Sequence, residues 1–118
     1  MEIAVSQGQD QSAVVRLSGD FDLHSCAGLR AVVENLLVPG AGQVVLDLSG
    51  VTFIDSSGLG TLVGLQKHAN EVEVGLALGA LTPQLQKIID LTGLSGAFSI
   101  VAELPAAHAV DENGSYAG

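Results

Sequence analysis

Apolar residues in this chain switch repeatedly between strand-length runs and helical spacing, and that alternation restricts the fold more than any single residue does. Ile3 to Ser6 alternates weakly, and Ala13-Val14-Val15-Arg16-Leu17 is rich in β-branched residues, so two early strands forming a hairpin are expected. Cys26, Leu29, Val32, Val33, Leu36 and Leu37 then recur with the i, i+3, i+4, i+7 period of a helix, with Ser25 as its expected N-cap and Pro39-Gly40 as its end. Gln43 to Leu48 is an apolar run of strand length, typical of a strand buried on both faces. A helix from Ser56 to about Asn70 and a strand from Val72 to Leu78 follow. Thr82-Pro83 opens a third helix that Thr92-Gly93 stops, because proline suits the first turn and glycine the exit. Phe98 to Val101 reads as a last strand, Pro105 to Val110 as a short terminal helix, and Asp111 to Gly118 as a frayed polar tail.

The order ββαβαβαβα implies an α/β fold: a mixed, mostly parallel sheet with right-handed crossovers and about four covering helices. With 118 residues there is room for one domain, expected over residues 1–110, and the tail covers residues 111–118. In such sheets, binding and control sites collect in the loops beyond the carboxyl ends of the strands. Two loops meet that condition, residues 19–24 and 50–60.

Composition narrows the function classes. Apolar residues are 47% of the chain and charged residues only 14%, which excludes a disordered body. The longest unbroken apolar or glycine run, Val74 to Leu81, falls far short of the ~20 residues that span a bilayer, so no membrane association is expected. Met1 to Ala4 has none of the basic, hydrophobic character of a secretory leader and a single Cys cannot form an internal disulfide, which together lead us to expect the cytoplasm. Four Lys and Arg against thirteen Asp and Glu give a net charge of −9, the wrong sign for binding phosphate backbones, so no direct nucleic-acid partner is expected.

The least ordinary stretch is Leu46 to Gly60, where a buried strand meets a helix through Asp55-Ser56-Ser57-Gly58. A helix N-terminus offers free N–H groups and the positive end of the helix dipole, so a phosphate on a serine there could be held without unfolding the helix. The same residues also suit plain capping, because Asp and Ser are the commonest caps and glycine allows a tight turn. Local chemistry leaves both readings open.

Phe53-Ile54-Asp55-Ser56-Ser57-Gly58-Leu59-Gly60 closely resembles the signature of bacterial anti-sigma factor antagonists, which are STAS-domain proteins. Gly19-Asp20-Phe21-Asp22, Val45-Leu46-Asp47-Leu48, and Thr82-Pro83 through Leu91-Thr92-Gly93-Leu94 also look like family stretches, so the resemblance runs over nearly the whole chain. It implies a binding protein without enzymatic activity or cofactor. The unphosphorylated form would bind an anti-sigma factor with a serine-kinase fold and free a sigma factor; phosphorylation would reverse this, and a phosphatase would reset it. The resemblance puts the phosphoacceptor at Ser56, with the adjacent Ser57 as runner-up, and Asp22, Asp55, Ser57 and Gly58 on the partner-contact surface. The alternative is a STAS-type domain that senses a small molecule or nucleotide.

Other chemistries fit less well. Asp20, Asp22 and Asp55 could gather round a Mg²⁺ as in a phosphoaspartate receiver, but Phe98 to Gly118 lacks the lysine that receivers place after their last strand. Gly58-x-Gly60-x-x-x-Gly64 is not followed by the acidic residue that would hold a ribose, so these glycines are expected to allow close helix-to-sheet packing instead. No Walker-type loop is present, and Ser56 does not stand in Gly-x-Ser-x-Gly. His24, His68 and His108 lie on separate elements and receive no catalytic role, although His24 shares the rim with Asp22 and could touch a partner. Cys26 falls on an apolar helix face and is expected to be inert, and Phe21, Phe53 and Phe98 are expected to be core anchors rather than a base-stacking surface.

Overall fold

The computed structural model describes residues 1–7 and 12–101. Its elements are strands β1 (Glu2–Gln7) and β2 (Ala13–Phe21), helix α1 (Leu23–Leu36), strand β3 (Val44–Ile54), helix α2 (Ser56–Glu71), strand β4 (Leu76–Gly79), helix α3 (Pro83–Leu91), a 3₁₀ turn (Ser95–Ala97) and strand β5 (Ser99–Val101). The expected terminal helix at Pro105 to Val110, the tail at residues 111–118, the domain end at 110 and His108 all lie outside the described residues. The 3₁₀ turn was not foreseen; its Ala97 N–H donates to the Leu94 carbonyl at 2.9 Å.

The strands form one sheet in the order β1-β2-β3-β4-β5. β1 is antiparallel to β2, as expected for a hairpin, and every other pairing is parallel. Because each parallel neighbour is the next strand in the chain, right-handed crossovers put α1, α2 and α3 on the same face. One continuous core forms there: Leu29 and Val33 of α1, Leu62, Leu65 and Ala69 of α2, and Leu85 and Ile89 of α3 pack on Val15, Leu17, Leu46, Leu48, Leu76 and Leu78. The alternate strand positions Val14, Val45 and Ala77 form a smaller cluster on the other side, with Val101 against it.

Several boundaries differ from the sequence reading. β2 runs on to Phe21 and β3 to Ile54, so Gly19 to Phe21 and Gly50 to Ile54 are strand rather than loop. Two register shifts between β2 and β3 make this possible, because each lets β3 carry one residue more than its partner. At the first, a Cβ on Gly50 would stand 2.8 Å from Ser18 Cβ and 2.9 Å from the Leu17 carbonyl, so only glycine lets the strands close. β4 begins at Leu76 instead of Val72, because α2 continues to Glu71 and Val72 caps it, donating its N–H to the His68 carbonyl at 3.1 Å. Asp22, not Ser25, is the N-cap of α1: its extended backbone turns the chain into the helix and its carboxylate accepts from the His24 N–H at 3.0 Å. Ser25 sits inside the first turn and its hydroxyl donates to the Asp20 carbonyl at 3.1 Å. α3 follows its sequence signals closely, with Pro83 in its first turn and Thr82 Oγ1 accepting from the Leu85 N–H at 3.2 Å.

Candidate functional site

The parallel arrangement brings the starts of α1, α2 and α3 to the carboxyl ends of β2, β3 and β4, one beside the next. Phe21 and Ile54 are paired across β2 and β3, and the Asp55 N–H donates to the Phe21 carbonyl at 3.3 Å. Asp22-Leu23 and Asp55-Ser56 therefore leave neighbouring strands at the same level. A second tie crosses the same two strands, where Thr52 Oγ1 donates to Asp20 Oδ1 at 3.0 Å.

Asp55 is the N-cap of α2, with φ −106° and ψ −176°, and its Oδ1 accepts from the Gly58 N–H at 2.9 Å. This places Ser56 at the first helical position, exposed, with no hydrogen-bond partner for its hydroxyl among the described residues. Ser57 is half-buried, and its carbonyl accepts from Thr61 Oγ1 at 2.9 Å. The capping function thus belongs to Asp55, and the two serines are free of it. Ser56 presents its oxygen to solvent, where a phosphoryl group can be added without breaking a bond of the fold.

Gly58, expected on the partner-contact surface, is itself buried. A Cβ there would lie 2.7 Å from the Phe21 carbonyl, 2.8 Å from Ile54 Cγ1 and 3.1 Å from Phe21 Cδ1, so the first turn of α2 rests directly on the end of β2. Close helix-to-sheet packing is therefore the work of Gly58 alone: Gly60 and Gly64 are exposed and have open space where a Cβ would stand. Phe21 and Phe98 are buried as expected, whereas Phe53 is 49% exposed because it occupies the alternate strand position to Ile54, which faces the core.

The rim around Ser56 is acidic. Asp20 is exposed, and Asp22 and Asp55 are half-buried; Asp22 Oδ1 also accepts from Ser25 Oγ at 3.3 Å. All four Lys and Arg lie elsewhere: Arg16 within β2, Arg30 midway along α1, Lys67 in the second half of α2 and Lys87 in α3. Asp20, Asp22 and Asp55 do not converge as a ligand set, and among the described residues no group of three or more His, Cys, Asp or Glu is placed to hold a metal ion. His24 is exposed on the rim, whereas His68 stands in the last turn of α2, away from it. Cys26 is buried, its thiol donating to the Asp22 carbonyl at 3.2 Å. No described helix is long and apolar enough to cross a membrane.

Sequence reasoning missed Leu23, the first residue of α1, which is 67% exposed on this rim. It stands three residues before Cys26, so periodicity alone assigns it to the buried stripe. The usable signal was its place directly after Asp22, whose Asp-x-x-polar context marks a helix start rather than a helix interior.

The family model described as "Mlab, STAS domain" matches residues 4–103. An anti-sigma F factor antagonist of Paenibacillus polymyxa is 32% identical over 82 residues, which are 69% of this chain and 70% of that protein. The crystal structure of an anti-sigma factor antagonist from Mycobacterium paratuberculosis has a TM-score of 0.75 at 28% identity and covers 87% of this chain and 86% of its own. The Bacillus cell fate determinant SpoIIAA in its phosphorylated form has the same fold, with a TM-score of 0.67 at 23% identity over 86% of this chain and 93% of that one. A family match across nearly all described residues, on a sheet and helix order that the sequence itself foreshadowed, has one outcome: the chain belongs to the STAS domain family.

Proposed function

We propose that this protein is an anti-sigma factor antagonist that acts by partner switching. In its unphosphorylated form it binds an anti-sigma factor with a serine-kinase fold through the rim formed by Asp22, Asp55, Ser56 and Ser57. The partner, so occupied, releases its sigma factor. The partner's ATP then donates its γ-phosphoryl group to Ser56 Oγ, the hydroxyl proton is lost, and ADP remains; a phosphatase later hydrolyses the ester.

The observation that carries this reading is the division of labour at the start of α2. Asp55 satisfies the helix N-terminus while Ser56 stands exposed with an unbonded hydroxyl. Phosphorylation at that position leaves the cap and the core untouched and changes only the surface. It adds about −1.5 to −2 charges, together with oxygens that hold water tightly, to a face that must be dried to bind. The positive end of α2 stabilises the phosphate by about 0.3–1 kcal/mol, enough to tolerate it but far below the cost of burying it unpaired. The curated relative from Paenibacillus polymyxa, named an anti-sigma F factor antagonist, supports the partner class.

The test is to isolate the protein from its native cells with whatever is bound to it, and to map phosphate by intact-mass and peptide mass spectrometry. The expected result is phosphate on Ser56, with a kinase-fold anti-sigma factor bound only to the unmodified form. Phosphate on neither serine under any growth condition, with some other molecule bound, overturns the reading and favours a ligand-sensing domain.

A further inference from the structure

Asp22 and Asp55 are N-caps of the same kind, set by the Phe21–Ile54 pairing at one level on adjacent parallel strands. The next residue in each case is the first of its helix. In α2 that residue is Ser56; in α1 it is Leu23. The candidate phosphoacceptor therefore has as its structural counterpart, one helix over, a leucine with two-thirds of its surface in water.

Among the described residues nothing covers that leucine. The next apolar residues along α1, Cys26 and Leu29, are buried in the core, whereas Leu23 lies beyond it. Acidic residues are the ones favoured in a first helical turn, and α1 has none there. An exposed leucine that directly follows Asp22, at the level where Asp55 leaves the adjacent strand and with every Lys and Arg of the chain on other parts of the elements, has the make-up of an interface centre: an apolar anchor beside a charged rim. The charge of the rim specifies the complement.

Resting on the reading of the protein as an anti-sigma factor antagonist, we propose that Leu23 is the apolar anchor of that contact, seated in an apolar pocket of the anti-sigma factor whose edge carries Lys and Arg. Seating Leu23 dries the neighbouring helix start. A phosphate on Ser56 then loses its water against an apolar surface without gaining a hydrogen-bonding or cationic partner, so the contact is broken by desolvation at its centre, while the acidic rim steers the two proteins together from outside.

The test titrates the unphosphorylated protein, Leu23→Ala and Leu91→Ala by calorimetry into the purified anti-sigma factors of the source bacterium, each in turn, at low and at high salt. Leu91 is the matched control, since it is 76% exposed at the opposite end of the molecule, where α3 finishes. Leu23→Ala is expected to weaken binding about tenfold or more, as removal of an interface anchor does, and Leu91→Ala to leave it unchanged. Both variants are expected to melt with the wild-type protein, which excludes misfolding as the cause. High salt is expected to weaken all three complexes while the ratio between wild type and Leu23→Ala holds, because salt screens the rim and not the apolar contact. If Leu23→Ala binds as tightly as wild type, or if its defect disappears at high salt, the anchor is wrong and the partner class stands. If wild type binds none of the anti-sigma factors, the partner class and the anchor fall together.

Discussion

The starts of α2 and α3 solve the same problem with different side chains. Each helix follows a parallel strand, and each has a side-chain cap three residues before the N–H it satisfies: Asp55 for Gly58 at 2.9 Å and Thr82 for Leu85 at 3.2 Å. At α3 the position after the cap is Pro83, which presets the helical turn and offers no reactive group. At α2 it is Ser56, with Gly58 two residues on wedged against the end of β2. One start is built only to begin a helix, and the other begins a helix while holding a hydroxyl in solvent on a fixed base. On the proposed reading the cap itself is not the functional element; what matters is the residue that the cap leaves free.

Substitutions that treat the two starts alike separate structure from function. The largest effect is expected from Ser56→Asp, which puts a charge into the contact and weakens binding to the anti-sigma factor on the order of a hundredfold in calorimetry. Gln84→Asp, the equivalent charge on the exposed first turn of α3, is expected to leave that affinity unchanged; equal losses would mean that both starts belong to one binding face. Next comes Gly58→Ala. Its new methyl group meets a backbone carbonyl that cannot move freely, so thermal melting is expected to show a loss of about 1–3 kcal/mol. Asp55→Ala and Thr82→Ala each remove a cap and should cost about 1 kcal/mol in denaturant unfolding, but only Asp55→Ala should also alter partner binding. The smallest effect is a gain: Gly60→Ala, exposed in a helix interior with open space around it, should stabilise the fold by about 0.5–1 kcal/mol.

The same contrast explains what could be read from the sequence. α3 was legible almost to the residue because its signals are local: a Thr-Pro start, Leu85 and Ile89 at helical spacing, and Thr92-Gly93 at the end. The run from Gly50 to Ile54 was misread as loop because its alternation is broken by two register shifts. Only pairing with β2, about thirty residues earlier in the chain, makes it a strand. At the site, Asp55, Ser56 and Ser57 were visible as a motif, yet which of them caps the helix could be read only from the Asp55 bond to Gly58, which leaves both serine hydroxyls unengaged. The three glycines of α2 looked equivalent in sequence. Contact distances separate them, because the atoms that require glycine at position 58 belong to Phe21 and Ile54, and nothing comparable faces positions 60 and 64. Leu23 was hidden for a similar reason: periodicity describes a helix and says nothing of where the underlying sheet ends.

The most direct test of the phosphate gate is one calorimetric comparison, in which the unmodified protein and the same protein stoichiometrically phosphorylated on Ser56 are titrated into the anti-sigma factor under identical conditions. The expected result is tight binding of the unmodified form and loss of detectable binding on phosphorylation, with both forms melting as folded domains. Equal affinity of the two forms would contradict the gate and leave Ser56 as an ordinary residue at the start of a helix.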